Sequence, residues 1–86
     1  MEARQGLIVR SKAGRDAGDL FIILRLEDQF AYIANGDRRK VDCPKKKKLK
    51  HLQLTGVSSE FIESKLISGA KITNNEVRIA LAEYLE

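Results

Sequence analysis

The sequence predicts an α+β fold, mainly β, with five short strands closed into a small barrel and two short α-helices at the C-terminus. Three observations carry this expectation. Short apolar runs rich in β-branched and aromatic residues recur up to Thr55, broken by glycine, asparagine and aspartate. After Gly56 the apolar residues change to helical spacing behind serine and threonine caps. No repeat and no linker rich in proline, glycine or serine separates the two parts. The chain has 86 residues, 43% of them hydrophobic, which suits one small core. We therefore read residues 1–56 as a barrel with a basic loop and 57–86 as a helical extension packed on it, together one structural domain.

The elements follow in order. "GLIVRS" (Gly6 to Ser11) is a β-branched strand, and the glycines at 14 and 18 in "KAGRDAGD" punctuate a turn or bulged loop. "LFIILRL" (Leu20 to Leu26) is a nearly unbroken apolar run, as expected of a strand covered on both faces. "EDQ" makes a tight connection to "FAYIA" (Phe30 to Ala34), and "NGD" (Asn35 to Asp37) is the strongest hairpin signal in the chain. It predicts a strand over Arg38 to Val41, ending before Pro44, which has no N–H to give a ladder. "HLQLT" (His51 to Thr55) alternates again and closes the β region. Five short strands joined by tight turns favour closure, which removes unpaired sheet edges.

In the last third, "SSEFIESKLISG" offers an N-cap at Ser58 or Ser59, the apolar residues Phe61, Ile62, Leu66 and Ile67, and a stop at Gly69. "TNNEVRIALAEYLE" opens with a capping box, Thr73 with Glu76, ahead of a stripe of Val77, Ala80, Leu81, Tyr84 and Leu85. Neither helix can bury its stripe alone, so both are expected to pack on the barrel.

Charge is concentrated in one segment. Residues 1–37 carry five basic and six acidic side chains, residues 38–51 eight and one, and residues 52–86 three and five, for a net +4 overall. The positive field thus comes from a single stretch, the electrostatic footprint of a polyanion binder. Within it, "PKKKKLKHLQL" sets four lysines between two expected strands, so the run reads as an anchored loop and not a free tail. Anchoring at both ends also makes it a poor nuclear address.

The stretch "GLIVRSKAGRDAGDLFIIL", with Gly6, Val9, Gly14 and Gly18 and the apolar run after the loop, resembles the KOW motif of ribosomal proteins and NusG-type transcription factors. "NGDRRKVDCPKKKKLKHLQLT" with "ITNNEVRIAL" looks like the small bacterial KOW-domain RNA-binding proteins, distant relatives of a large-subunit ribosomal protein family of archaea and eukaryotes. The resemblance spans residues from about 6 to 82. It implies an SH3-like barrel, RNA as ligand, with ribosomal RNA foremost, and a place in the cytoplasm near the ribosome and its proteins. KOW domains also bind proteins, so a protein-interaction module of the translation or transcription machinery is the alternative.

The candidate RNA contacts start with Arg38, Arg39, Lys40, Lys45, Lys46, Lys47, Lys48 and Lys50, whose charges neutralise phosphates and release counterions. The arginines, with their planar forks, are assigned to positioning and the lysines to affinity. Strand alternation keeps Arg38 and Arg39 off a common face. Arg10, Lys12 and Arg15 extend the basic surface through the glycine loop, where Asp16 and Asp19 would repel phosphate. Tyr32 is a candidate platform for base stacking, while Phe21, Phe30 and Phe61 are assigned to the core. Charge without many aromatic residues favours reading of RNA shape and backbone. Duplex DNA presents the same phosphates to lysine.

Other classes find little support. A single cysteine, Cys43, rules out an internal disulfide and a cysteine zinc cluster, and is read as a small apolar filler. His51, the one histidine, is expected to be neutral at a strand edge. No apolar run reaches the roughly 18 residues of a membrane span, and no signal-peptide core is evident. No serine–histidine–acid set and no phosphate-binding loop occurs. We expect no enzyme activity, cofactor, metal or small-molecule substrate.

Overall fold

The computed structural model describes residues 2–86. Strands β1 (Leu7–Ser11), β2 (Leu20–Glu27), β3 (Phe30–Ala34), β4 (Lys45–Lys48) and β5 (Leu52–Ser58) form one antiparallel sheet in the order β4-β3-β2-β1-β5. Helices α1 (Glu60–Ser68) and α2 (Asn74–Leu85) follow. The fold is α+β, with an open five-stranded sheet. No ladder joins the edge strands β4 and β5. A 3-10 turn, Leu49–His51, links them directly. Its ends are tied to the rest of the sheet, since Leu49 N–H donates to the Gln29 carbonyl and Lys12 N–H donates to the His51 carbonyl, both at 2.8 Å.

The period-two alternation of β1 and β2 divides the apolar residues between two cores. Leu7, Val9, Phe21, Ile23, Ala31, Ile33 and Leu52 bury on one face. Ile8 and Ile22 turn to the other, where they meet Ile62, Ile72, Val77, Ala80 and Leu81. This is why "LFIIL" (Leu20 to Leu24) is apolar without a break: both of its faces are covered. The first cluster draws its buried members from strands alone, with Ala3 and Leu49 packed against it from outside them. The second is closed by the helices. Each fully buried large aliphatic side chain contributes roughly 1.5–3 kcal/mol.

The connection from β3 to β4 departs from expectation. No strand forms over Arg38 to Val41. Asn35 Oδ1 accepts hydrogen bonds from the N–H groups of both Asp37 and Arg39 at 3.0 Å, and the Arg39 carbonyl accepts from Asn35 and Gly36. The asparagine thus closes a wide loop on itself instead of a two-residue hairpin. Val41 N–H then donates to Asn74 Oδ1 of α2 at 2.8 Å, and Arg78 Nη1 donates to the Gly36 carbonyl. Gly36 lies so close to the first turn of α2, at φ 78°, that an added Cβ would collide with the Asn74 carbonyl. With these groups committed to the helix, pairing resumes only after Pro44, and the lysines themselves become β4. The loop expected for residues 45–48 is a strand. Lysine is at home on such an edge, where its charge discourages further strand addition.

The helices follow their caps. Ser59 Oγ accepts from Ile62 N–H, and Thr73 and Glu76 exchange both bonds of the capping box. Hydrogen bonds from Lys65, then from the Thr73 N–H, hold the Glu76 carboxyl below its ordinary pKa against a small opposing effect of burial. Three residues of the expected apolar stripes lie outside: Phe61 is 57% exposed, Ile67 74% and Leu85 67%. The cluster beneath is made by Ile8, Ile22, Ile62, Ile72, Val77, Ala80 and Leu81 without them.

Candidate nucleic-acid interface

Strand β4 presents its lysines alternately to two environments. Lys45 and Lys47 pair in register with Ile33 and Ala31, on the core side. Lys47 is only 7% exposed, and its ammonium donates to Asp16 Oδ1 (2.6 Å), Ser11 Oγ (2.5 Å) and the Ala13 carbonyl (2.7 Å). Three donors meet three acceptors, so a buried ammonium is fully satisfied. Lys45 donates to the second carboxylate oxygen of Asp16 at 2.8 Å. Partial burial would raise the Asp16 pKa, but hydrogen bonds from Lys45, Lys47 and Ser11, with the attraction of the Lys47 charge, hold it well below the usual carboxylate range. Two consequences correct the sequence reading. Lys47 is a structural residue, not a surface cation, and the Asp16 charge is compensated internally, so its repulsion of phosphate is blunted. The pair also clamps the glycine loop, residues 12–18, across β4.

On the other side of β4, Lys46 and Lys48 face outward opposite Tyr32 and Phe30. The Lys46 ammonium lies 4.6 Å from the Phe30 ring centre and 5.8 Å from that of Tyr32, and also approaches Glu27 at 3.5 Å. Arg25 lies over Tyr32 with its guanidinium carbon 4.0 Å from the ring centre. A bulge in β2 creates this contact. Ile23 pairs with Ile33 and Arg25 with Tyr32, leaving Leu24 as an extra residue, so Leu24 packs toward the helices while Arg25 is aimed at the tyrosine. Phe30, expected in the core, is half-buried on this outer face, because the β3 side chains that point inward are Ala31 and Ile33.

Beside the core end of β4 lies a cleft of about 330 Å³ that brings Arg15 of the glycine loop, Arg38 and Arg39 of the β3–β4 connection and Lys45 together. Asp16 and Asp19 also line it, and Phe21 and Asn35 complete its walls. Both arginines reach the one cleft, although strand alternation would have separated them, because the segment carrying them is a loop.

The remaining candidates are spread around this centre. Lys12, Lys40 and Lys50 are exposed, and Lys48 shares a shallow groove with Gly14, Phe30 and His51. Arg10 is half-buried and its Nη1 donates to the Gly18 carbonyl at 2.6 Å, which fixes the loop end. Cys43 is exposed and is not a core filler. Arg25 escaped the sequence reading, since nothing in "LFIILRL" announces a bulge. Its only signal was a cation interrupting an otherwise apolar strand.

Among the described residues, no helix is long and apolar enough to cross a membrane. Compared with models of known protein families and with curated proteins, the chain matches none.

Proposed function

We propose that this chain is an RNA-binding domain of KOW type that docks on phosphate backbone, with ribosomal RNA as the foremost ligand and the cytoplasmic translation machinery as its setting. The observation that carries the reading is the convergence of Arg15, Arg38, Arg39 and Lys45, from three separate segments, on one cleft flanked by the outward lysines of β4. Arg15, Arg38 and Arg39 are exposed there, and even with Lys45 held by Asp16 four cations face two carboxylates, a balance suited to a polyanion. The SH3-like barrel belongs to the same proposal. Its support is the core that the strands form among themselves and the hydrogen bonds that tie the Leu49–His51 turn to Lys12, just after β1, and to the β2–β3 turn.

The test is RNA affinity measured against salt. With about six phosphates contacted, log K should fall against log[salt] with a slope of about −4 to −5. An affinity independent of salt, or no RNA association, overturns the proposal. Sequencing of RNA crosslinked to the protein in cells then identifies the ligand.

The second reading, a protein-interaction module, is favoured by the exposed Phe61 and Val57 beside Tyr84, in a groove between α1 and α2 rimmed by Glu60 and Glu83. Under that reading, charge reversal of the outward lysines Lys46 and Lys48 leaves complex formation intact while Phe61→Ser abolishes it.

A further inference from the structure

The cleft accounts for phosphate, but a second concavity on the opposite flank of the β3–β4 connection has different chemistry. It is a groove of about 480 Å³ lined by Leu24, Arg25, Tyr32, Val41, Cys43 and Pro44. Its walls are an aromatic ring with a guanidinium over it, a pyrrolidine ring and two branched aliphatic side chains, and none of the six lining residues is acidic. Lys46 stands beside it, 5.8 Å from the Tyr32 ring centre. Flat apolar walls with cations at the mouth suit a flat heteroaromatic group attached to an anionic chain. Unpaired bases stack on tyrosine rings and on arginine guanidinium planes in this way. A volume of a few hundred Å³ is in the usual range for small-ligand sites.

Position strengthens the assignment. Pro44 lines the groove and its neighbour Lys45 lines the cationic cleft, so the two concavities meet at the start of β4. The β2 bulge is the third observation. In an unbulged ladder Leu24 would oppose Tyr32 and Arg25 would oppose Ala31 on the core side; the bulge sets Arg25 opposite Tyr32 on the outer face.

Resting on the RNA-binding reading above, we propose that this groove holds one unpaired nucleobase of the bound RNA, stacked against the Arg25–Tyr32 pair, so that the domain selects single-stranded or bulged sites over continuous duplex. The base occupies the groove while its neighbouring phosphates meet the cations of the cleft and Lys46.

Cys43 supplies a reporter inside the groove, because it is exposed and is the chain's one thiol. The experiment follows alkylation of Cys43 by iodoacetamide in the unaltered protein, alone, with saturating oligoadenylate, and with a saturating blunt duplex RNA of the same length. We expect oligoadenylate to slow alkylation about tenfold and the duplex to leave it nearly unchanged. In parallel, Tyr32→Leu should lower oligoadenylate affinity roughly 5- to 150-fold, the range of one lost base stack, and collapse the preference for single strands over duplex. If both RNAs bind with the salt dependence given above but Cys43 reacts at its free rate in each complex, the groove assignment is overturned and the phosphate-binding reading stands. Equal protection by duplex and single strand also overturns it, since backbone would then cover the groove. Failure of every RNA to bind overturns both.

Discussion

The two sides of β4 use the same residue for opposite ends. Lys47 is sunk among Asp16, Ser11 and Ala13, where its charge is compensated and its donors are all used. Lys46 and Lys48, one residue away on either side, stand on the outer face against aromatic rings and solvent. A run of four lysines therefore has no single role. The pleat sorts it, giving one side to the integrity of the glycine loop and leaving the other on the outer face, where we propose a ligand docks. Lys45 lies between these cases, bound to Asp16 yet lining the cationic cleft.

The largest effect that separates the two sides is on stability. Lys47→Ala leaves the half-sunk carboxylate of Asp16 short of a partner, and breaking a buried pair on one side is costly. We expect a loss of about 3 kcal/mol by guanidinium denaturation, at the lower end of the range for buried pairs because Lys45 still contacts Asp16. Lys46→Ala and Lys48→Ala should each stay within about 0.5 kcal/mol of the parent.

A somewhat smaller effect sharpens the inner side through pH. Asp16 titrates lower in the folded protein than in the unfolded chain, so the unfolded state takes up protons first as the solution is acidified. The stabilisation is complete above the ordinary carboxylate range and is lost progressively below about pH 5. Asp16→Asn should remove about 2 kcal/mol at neutral pH and make the acid limb of the stability profile shallower. An acid limb identical to the parent's would show that this carboxylate has no part in it.

The smallest effects concern the outer side. Charge reversal at Lys46 or Lys48 should leave the melting temperature nearly unchanged, and each should reduce the magnitude of the RNA salt slope by about 1. The same substitution at Lys47 should disturb folding before it reports on binding.

Much of this was legible in the sequence, for identifiable reasons. Strands β1, β2, β3 and β5 and both helices declare themselves because their burial comes from their own apolar residues, at period two or near 3.6, with caps at Ser59 and Thr73. The position of β4 was not legible. Four lysines carry no apolar alternation, and the partners that make Lys47 a core residue are Ser11 and Asp16, some thirty residues upstream. The expected strand over 38–41 failed for a related reason: Asn74, in a helix far along the chain, takes the Val41 N–H. The candidate site was legible in charge but not in grouping. That Arg15 and Arg38 share a cleft follows from tertiary placement, and the Arg25–Tyr32 pair depends on a bulge that no residue pattern in β2 marks.

The division of β4 is open to one direct measurement, the proton–nitrogen NMR spectrum of the lysine ammonium groups with and without RNA. A Lys47 signal protected from solvent exchange and unmoved by RNA, with Lys46 and Lys48 shifting as RNA is added, is the expected result. A Lys47 signal that exchanges freely and shifts with RNA, while those of Lys46 and Lys48 stay still, would contradict it.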